Sequence, residues 1–187
     1  MNKFYGYISL LLILTISACS SVTVSQDYDL DKPLPLLLNY QWQTAAQAKT
    51  GDVRMDNPLL NERIRRAVDR VFTQKGFQKA AAGTPDFLVA YQFSISQKIQ
   101  SDDVRGTVGF GVGSNGRHGG MAIGTGGTVT TYDEGLLVID VTVSQGTLLW
   151  RGRGTRHLST HDSPEKTEKI YNELVEKILE QFPPGAK

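Results

Sequence analysis

The sequence predicts an α+β fold, a two-layer sandwich in which two helices pack on one face of a mainly antiparallel, mixed sheet. Two stretches repeat apolar residues every three or four positions, and several others alternate apolar with polar. One helical stretch falls between the early strands and the main sheet, and the other closes the chain. Each helix carries one apolar stripe and most strands have one richer face, so stacking both helices on the same sheet face is the simplest burial.

Val22 and Val24 alternate with polar neighbours, and "LLNYQW" ends aromatic, which places strands near 22–28 and 37–43 with a proline-containing connection. "NPLLNERIRRAVDRVFTQKGF" is the first helix. Asn57 can cap it, and Pro58 fits the first helical position, where a missing N–H is no loss. Leu60, Ile64, Val68 and Phe72, with Ala67 and Val71 alongside, form its apolar stripe. Glu62, Arg63, Arg65, Arg66, Asp69 and Arg70 fall on the remaining face, which reads as solvated. Gly76 can take the left-handed conformation that ends a helix.

In "PDFLVAYQFSISQ", Phe87, Val89, Tyr91, Phe93 and Ile95 point one way and their neighbours the other. The path from strand 37–43 through the helix to strand 86–97 is long enough for a right-handed parallel crossover. "VTTYDEGLLVIDVTVSQGTLLWRGRGT" reads as three strands, with turns at Asp133-Glu134-Gly135 and Gln145-Gly146. A two-residue turn at Gln145-Gly146 sets Asp140 opposite Arg151, Val141 opposite Trp150 and Val143 opposite Leu148. Large apolar residues then share one face and a charge pair occupies the other, so Asp140 and Arg151 read as a structural cross-strand pair. The closing helix is capped by Asp162 or Ser163 and has Pro164 early. Ile170, Leu174, Ile178 and Phe182 make its stripe, and Pro183-Pro184 stop it.

The amino terminus carries an address. Lys3 sits in a short polar lead, followed by an apolar run of about twelve residues, well short of the roughly 20 that span a bilayer. This is the layout of a secretory signal. Ile16, Ser17 and Ala18 then lead into Cys19, and the quartet resembles the bacterial lipobox recognised by the lipoprotein signal peptidase. The resemblance implies that Cys19 receives diacylglycerol, that residues 1–18 are cut away, and that the new amino terminus is acylated. Several acyl chains together anchor firmly where one does not. Ser20 resembles the pattern that sends such proteins to the outer membrane.

Cys19 is the only cysteine, so no intrachain disulfide forms and stability must come from an ordinary core. Residues 19–187 make one domain of usual size. Removing Lys3 with the signal takes the formal net charge from +1 to zero. Neutrality gives no electrostatic reason to expect nucleic acid, and export argues the same way.

"GTVGFGVGSNGRHGGMAIGTGG", residues 106–127, holds more than half of the 19 glycines. Gly111, Gly113 and Gly116 spell GxGxxG, but the residues that follow cannot open a stable helix, at about 1 kcal/mol per glycine, and no GK[ST] is present. No nucleotide is expected. The stretch reads as a glycine-rich hairpin, either a loosely held loop or a contact surface that orders on a partner. His157 and His161 have H-x3-H spacing but lie where a strand gives way to a loop, and His118 sits among the glycines. No metal site and no cofactor are expected. Asp102-Asp103 and Asp133-Glu134 are chain neighbours whose side chains point apart, which disfavours paired acid–base work and names no catalytic residue.

Taken in order, "YQW", "NPLLNERIRRAVDRVFTQKGF", "PDFLVAYQF", the glycine-rich stretch, "YDEGLLVIDV", "LLWRGRG" and "EKILEQFP" resemble domain-of-unknown-function family 4136, a group of bacterial envelope lipoproteins. Pro85-Asp86-Phe87, Gly135 to Asp140 and Trp150-Arg151-Gly152 carry the likeness most specifically. "TVSQGT" departs from the acidic, lysine-bearing turn common in that group. The resemblance implies a lipoprotein location and an α+β domain, and supplies no catalytic residues.

The function expected from these observations is a non-enzymatic lipoprotein anchored to the outer membrane and facing the periplasm, binding or scaffolding an envelope protein. The contrasting readings are an enzyme on envelope polymers using Asp86 or Asp140 in a cleft, and a carrier holding a small ligand between sheet and helices.

Overall fold

The computed structural model describes residues 22–44, 49–101, 129–159 and 162–185. The elements run β1 Thr23–Asp27, β2 Asn39–Trp42, α1 Pro58–Gln74, β3 Gln78–Lys79, β4 Phe87–Ser101, β5 Val129–Val143, β6 Leu148–Leu158 and α2 Pro164–Leu179. They form a six-stranded sheet in the order β1-β6-β5-β4-β2-β3. The β1–β6, β6–β5 and β5–β4 pairs are antiparallel, whereas β2 runs parallel to both β4 and β3. The parallel pairing follows from the chain's passage through α1 between β2 and β4.

Local sequence explains both helices. The Asn57 side chain accepts the Leu59 N–H at 2.9 Å at the start of α1, with Pro58 in the first turn. Leu60, Ile64, Ala67, Val68, Val71 and Phe72 are its buried residues. Gly76 takes φ +88°, and the Phe77 N–H reaches back to the Phe72 carbonyl at 3.0 Å, closing the helix end. Ser163 caps α2 by accepting the Lys166 N–H, and Ile170, Tyr171, Leu174, Val175, Ile178 and Leu179 are buried beneath it.

Both helices cover one face of the sheet. Tyr40, Phe87, Val89, Phe93, Leu137, Ile139, Val141 and Trp150 project from it into the core. At one pole Phe72, Phe87 and Phe182 meet with ring centroids 5.8 to 6.2 Å apart, and Trp150 lies 5.0 Å from Phe182. Such pairs add about 0.5–1.5 kcal/mol each beyond their burial.

Two expected turns are corrected. β5 runs unbroken through Asp133, Glu134 and Gly135. A Cβ on Gly135 would stand 2.9 Å from Leu158 Cδ1 and 3.1 Å from the Phe93 ring, so this glycine makes room for neighbours and does not reverse the chain. In the β5–β6 connection Val141 faces Trp150, but Thr142, not Val143, faces Leu148, and Leu149 forms a bulge. The Val143 N–H donates to the Thr147 carbonyl and the Gly146 N–H to the Val143 carbonyl, so the loop is longer than two residues. The glycine-rich stretch 106–127 lies outside the described residues.

Candidate functional site

The carboxylates that the sequence offers for chemistry are tied to neighbours. Asp86, at the head of β4, accepts the backbone N–H groups of Asn39 at 2.8 Å and Leu38 at 3.0 Å through one oxygen. Those two bonds, the Asn39 one foremost, hold its carboxyl below the ordinary aspartate value. The residue fastens the start of β2 to β4. Asp140 and Arg151 face each other across β5 and β6 on the sheet surface away from the helices. Arg151 Nε donates to Oδ1 at 2.6 Å and Nη2 to Oδ2 at 2.7 Å, which raises the guanidinium above its usual value.

Asp69 was not legible as a centre from sequence, where it belongs to the polar side of α1. Its Oδ1 accepts the Tyr40 hydroxyl at 2.7 Å and the Trp42 indole N–H at 2.8 Å, and its Oδ2 receives Lys79 Nζ at 2.8 Å. Burial, reinforced by the Asp69 carboxylate, pushes the Tyr40 hydroxyl pKa up. Two of the four arginines on that helix also have partners. Arg65 stacks over the Trp42 ring at 4.6 Å, and Arg66 reaches Glu168 on α2 at 3.7 Å. The polar side of α1 is therefore partly a set of braces to β2, β3 and α2.

Where both helices begin, an open cleft of about 370 Å³ is lined by Arg54, Arg63, Ile95, Asp133, Leu158 and Tyr171 among others. Arg54 pairs with Asp133, which also lines the cleft, at 2.7 Å and with Asp52 at 2.7 Å. Tyr171 is pushed up to about 12 by burial. The cleft combines aliphatic walls from Ile95, Leu158 and Ile170 with the paired charges of Arg54 and Asp133.

His157 stacks on Tyr132 with centroids 3.9 Å apart. His118, His161, Asp102 and Asp103 lie outside the described residues, as do Ile16, Ser17, Ala18 and Cys19. Asp133 and Glu134 are successive residues of β5, and each has its own basic partner, Arg54 and Lys98 respectively. Among the described residues no three His, Cys, Asp or Glu side chains gather to hold a metal ion, and no helix is long and apolar enough to cross a membrane.

The family model "Domain of unknown function (DUF4136)" matches residues 24–184. The chain belongs to that family. The match begins at the second residue of β1 and ends beyond α2, so it reaches every strand and helix described above. No curated protein matches the chain. Among solved structures, a PDZ domain protein from Parabacteroides distasonis is similar in fold, with a TM-score of 0.53 and 11% identity. The similarity covers 89% of this chain and 37% of that one, so this chain spans little more than a third of that protein's length. A PelC dodecamer from Paraburkholderia phytofirmans scores 0.45 at 10% identity, covering 84% of this chain and 95% of that one.

Proposed function

We propose that this DUF4136 protein is a lipid-anchored, non-catalytic module of the bacterial cell envelope, held to the outer membrane through Cys19 and facing the periplasm, where it binds or scaffolds another envelope protein. The observation that carries the reading is the position of Val22, which already packs against the core and precedes β1 directly. Three residues of chain reach at most about 11 Å. With Cys19 acylated, a body that is packed from Val22 onward sits at the membrane surface with almost no tether.

A non-catalytic role is supported by how the polar groups are used. Asp86 holds two backbone amides and Asp140 holds Arg151, so the two carboxylates that an enzyme reading would recruit are occupied. Residues 106–127 are the proposed contact segment for a protein partner, on the strength of their glycine content.

The test is metabolic labelling with radioactive palmitate in the native host, followed by crosslinking in intact cells. Wild-type protein takes up label and sediments with outer membrane; Cys19→Ser does neither. Shortening 106–127 removes a crosslinked partner while leaving the label in place. Unlabelled, freely soluble wild-type protein would overturn the anchor, and turnover of peptidoglycan abolished by Asp140→Asn would overturn the non-catalytic role.

A further inference from the structure

The chain enters the fold at one particular pole. Thr23, at the start of β1, pairs with Thr155 near the end of β6, and three residues further along Leu158 pairs with Asp133. Arg54, just before α1, reaches that same Asp133, and the cleft there is lined by Asn57 and Pro164, the beginnings of α1 and α2. β4 and β5 continue past this level as a two-stranded arm, with Ile99 opposite Thr131. The entry of β1, the starts of both helices and the arm therefore share one end of the domain.

That end exposes three aliphatic side chains from three separate segments. Val53 in the loop before α1 is 83% exposed, Leu59 in the first turn of α1 is 56% exposed, and Ile99 on the β4 arm is 72% exposed. Helical Cα–Cβ bonds tilt toward the helix start, so Leu59 leans toward the same end and away from the core stripe. We propose that this end is a membrane-contact face, with Val53, Leu59 and Ile99 seated in the interface of a zwitterionic bilayer. The inference rests on the lipid anchor at Cys19, whose short tether brings this end, and no other, against the surface.

The charges define the lipid. Arg54 is matched by Asp52 and Asp133, Lys98 by Glu134, and Lys166 by Asp162. These three cations are neutralised within the protein, and the contact is assigned to the aliphatic side chains and not to Arg63, which also lines the cleft. Contact is then apolar, and interfacial partition of aliphatic side chains beside a covalent anchor is enough to hold an orientation. Screening by salt acts on exposed charges and leaves such contact unchanged.

The opposite end supplies internal controls of the same hydrophobicity. Leu36, which precedes β2, is 81% exposed, and Leu148, at the β5–β6 turn, is 46% exposed. An environment-sensitive fluorophore is placed on Val53→Cys, Leu59→Cys, Ile99→Cys, Leu36→Cys and Leu148→Cys, one at a time, in acylated protein reconstituted into phosphatidylethanolamine–phosphatidylcholine vesicles. Acylated Cys19 carries no free thiol, so each label has one address. Labels at 53, 59 and 99 shift to the blue and are quenched by spin-labelled lipid, equally at low and high salt; those at 36 and 148 remain aqueous. Acylated, vesicle-bound protein whose labels at 53, 59 and 99 match those at 36 and 148 would overturn the face while leaving the anchor intact. Protein that takes up no palmitate and fails to float with vesicles would overturn both. Circular dichroism of each variant confirms that the fold is unchanged.

Discussion

The Trp150 indole lies directly over Gly152 on the same strand, occupying the space that a side chain at 152 would need. From above, Ile178 Cγ2 of α2 would stand 2.5 Å from a Cβ at the same position. Two residues on, a Cβ at Gly154 would lie 2.8 Å from Ile178 and Leu174 side-chain atoms. Small residues on β6 thus let α2 settle onto the sheet. Gly152→Ala meets a rigid ring and is expected to destabilise by about 1–3 kcal/mol, as overpacking does. Gly154→Ala meets the ends of flexible side chains and should cost less. Urea midpoints at constant m-value check the order; an equal or reversed ranking would refute this account of the glycines.

Asp69 gives a contrast between two substitutions at one position. Oδ1 carries both the Tyr40 and Trp42 donors, while Oδ2 carries only Lys79, whose side chain is half exposed. Asp69→Asn keeps an oxygen for the two aromatic donors and lets Lys79 turn to water, so its cost is small. Asp69→Ala strands the hydroxyl of Tyr40, which is buried, at about 1–3 kcal/mol for each unsatisfied group. Tyr40→Phe added to Asp69→Ala removes the stranded hydroxyl, so the double variant falls short of the summed single costs. Thermal unfolding of the four variants measures this.

The helices were legible because their signals are local. Asn57, Pro58, the four-residue stripe and Gly76 all sit within one continuous segment, and each acts as its residue type predicts. Alternation likewise placed β4, and the register counted from Gln145-Gly146 set Val141 opposite Trp150 even though the loop there is longer than the two residues that register assumes. Gly135 misled because an acidic pair followed by glycine has the chemistry of a turn, whereas the reason for this glycine is the packing of Phe93 and Leu158 from neighbouring strands. Asp69 was opaque for the same kind of reason. Its three partners come from β2 and β3, on either side of α1 in the chain, and no spacing within the helix announces them.

Asp86 should contribute an acid-sensitive part of the stability. Its carboxyl is held below the ordinary value by the Asn39 and Leu38 amides. A depressed folded-state value means that the contribution is fully present above the unfolded value, about 3.9, and is lost as pH falls through the folded one. Asp86→Asn cannot titrate, so its stability should fall less steeply than that of the wild type between pH about 4 and about 2. Urea midpoints across that range test the difference, and parallel curves would remove Asp86 from the acid response.

Asp140 and Arg151 pair at two points, yet the pair is worth little to stability. The Asp140 side chain is 16% exposed and that of Arg151 is 41% exposed, so water screens the attraction and solvates whichever partner is left. A double-mutant cycle with Asp140→Ala and Arg151→Ala should return a coupling of about 0.2–1 kcal/mol, the range for charged cross-strand neighbours. Asp140→Asn should keep the far-ultraviolet spectrum and the envelope fractionation of the wild type. A coupling well above that range would mean that the pair is shielded from water by something seated on the open sheet face. The cycle repeated in membranes and in purified protein therefore distinguishes an intrinsic brace from one covered in the cell: equal values place the pair in solvent in both settings, and a larger value in membranes would put a partner over β5 and β6.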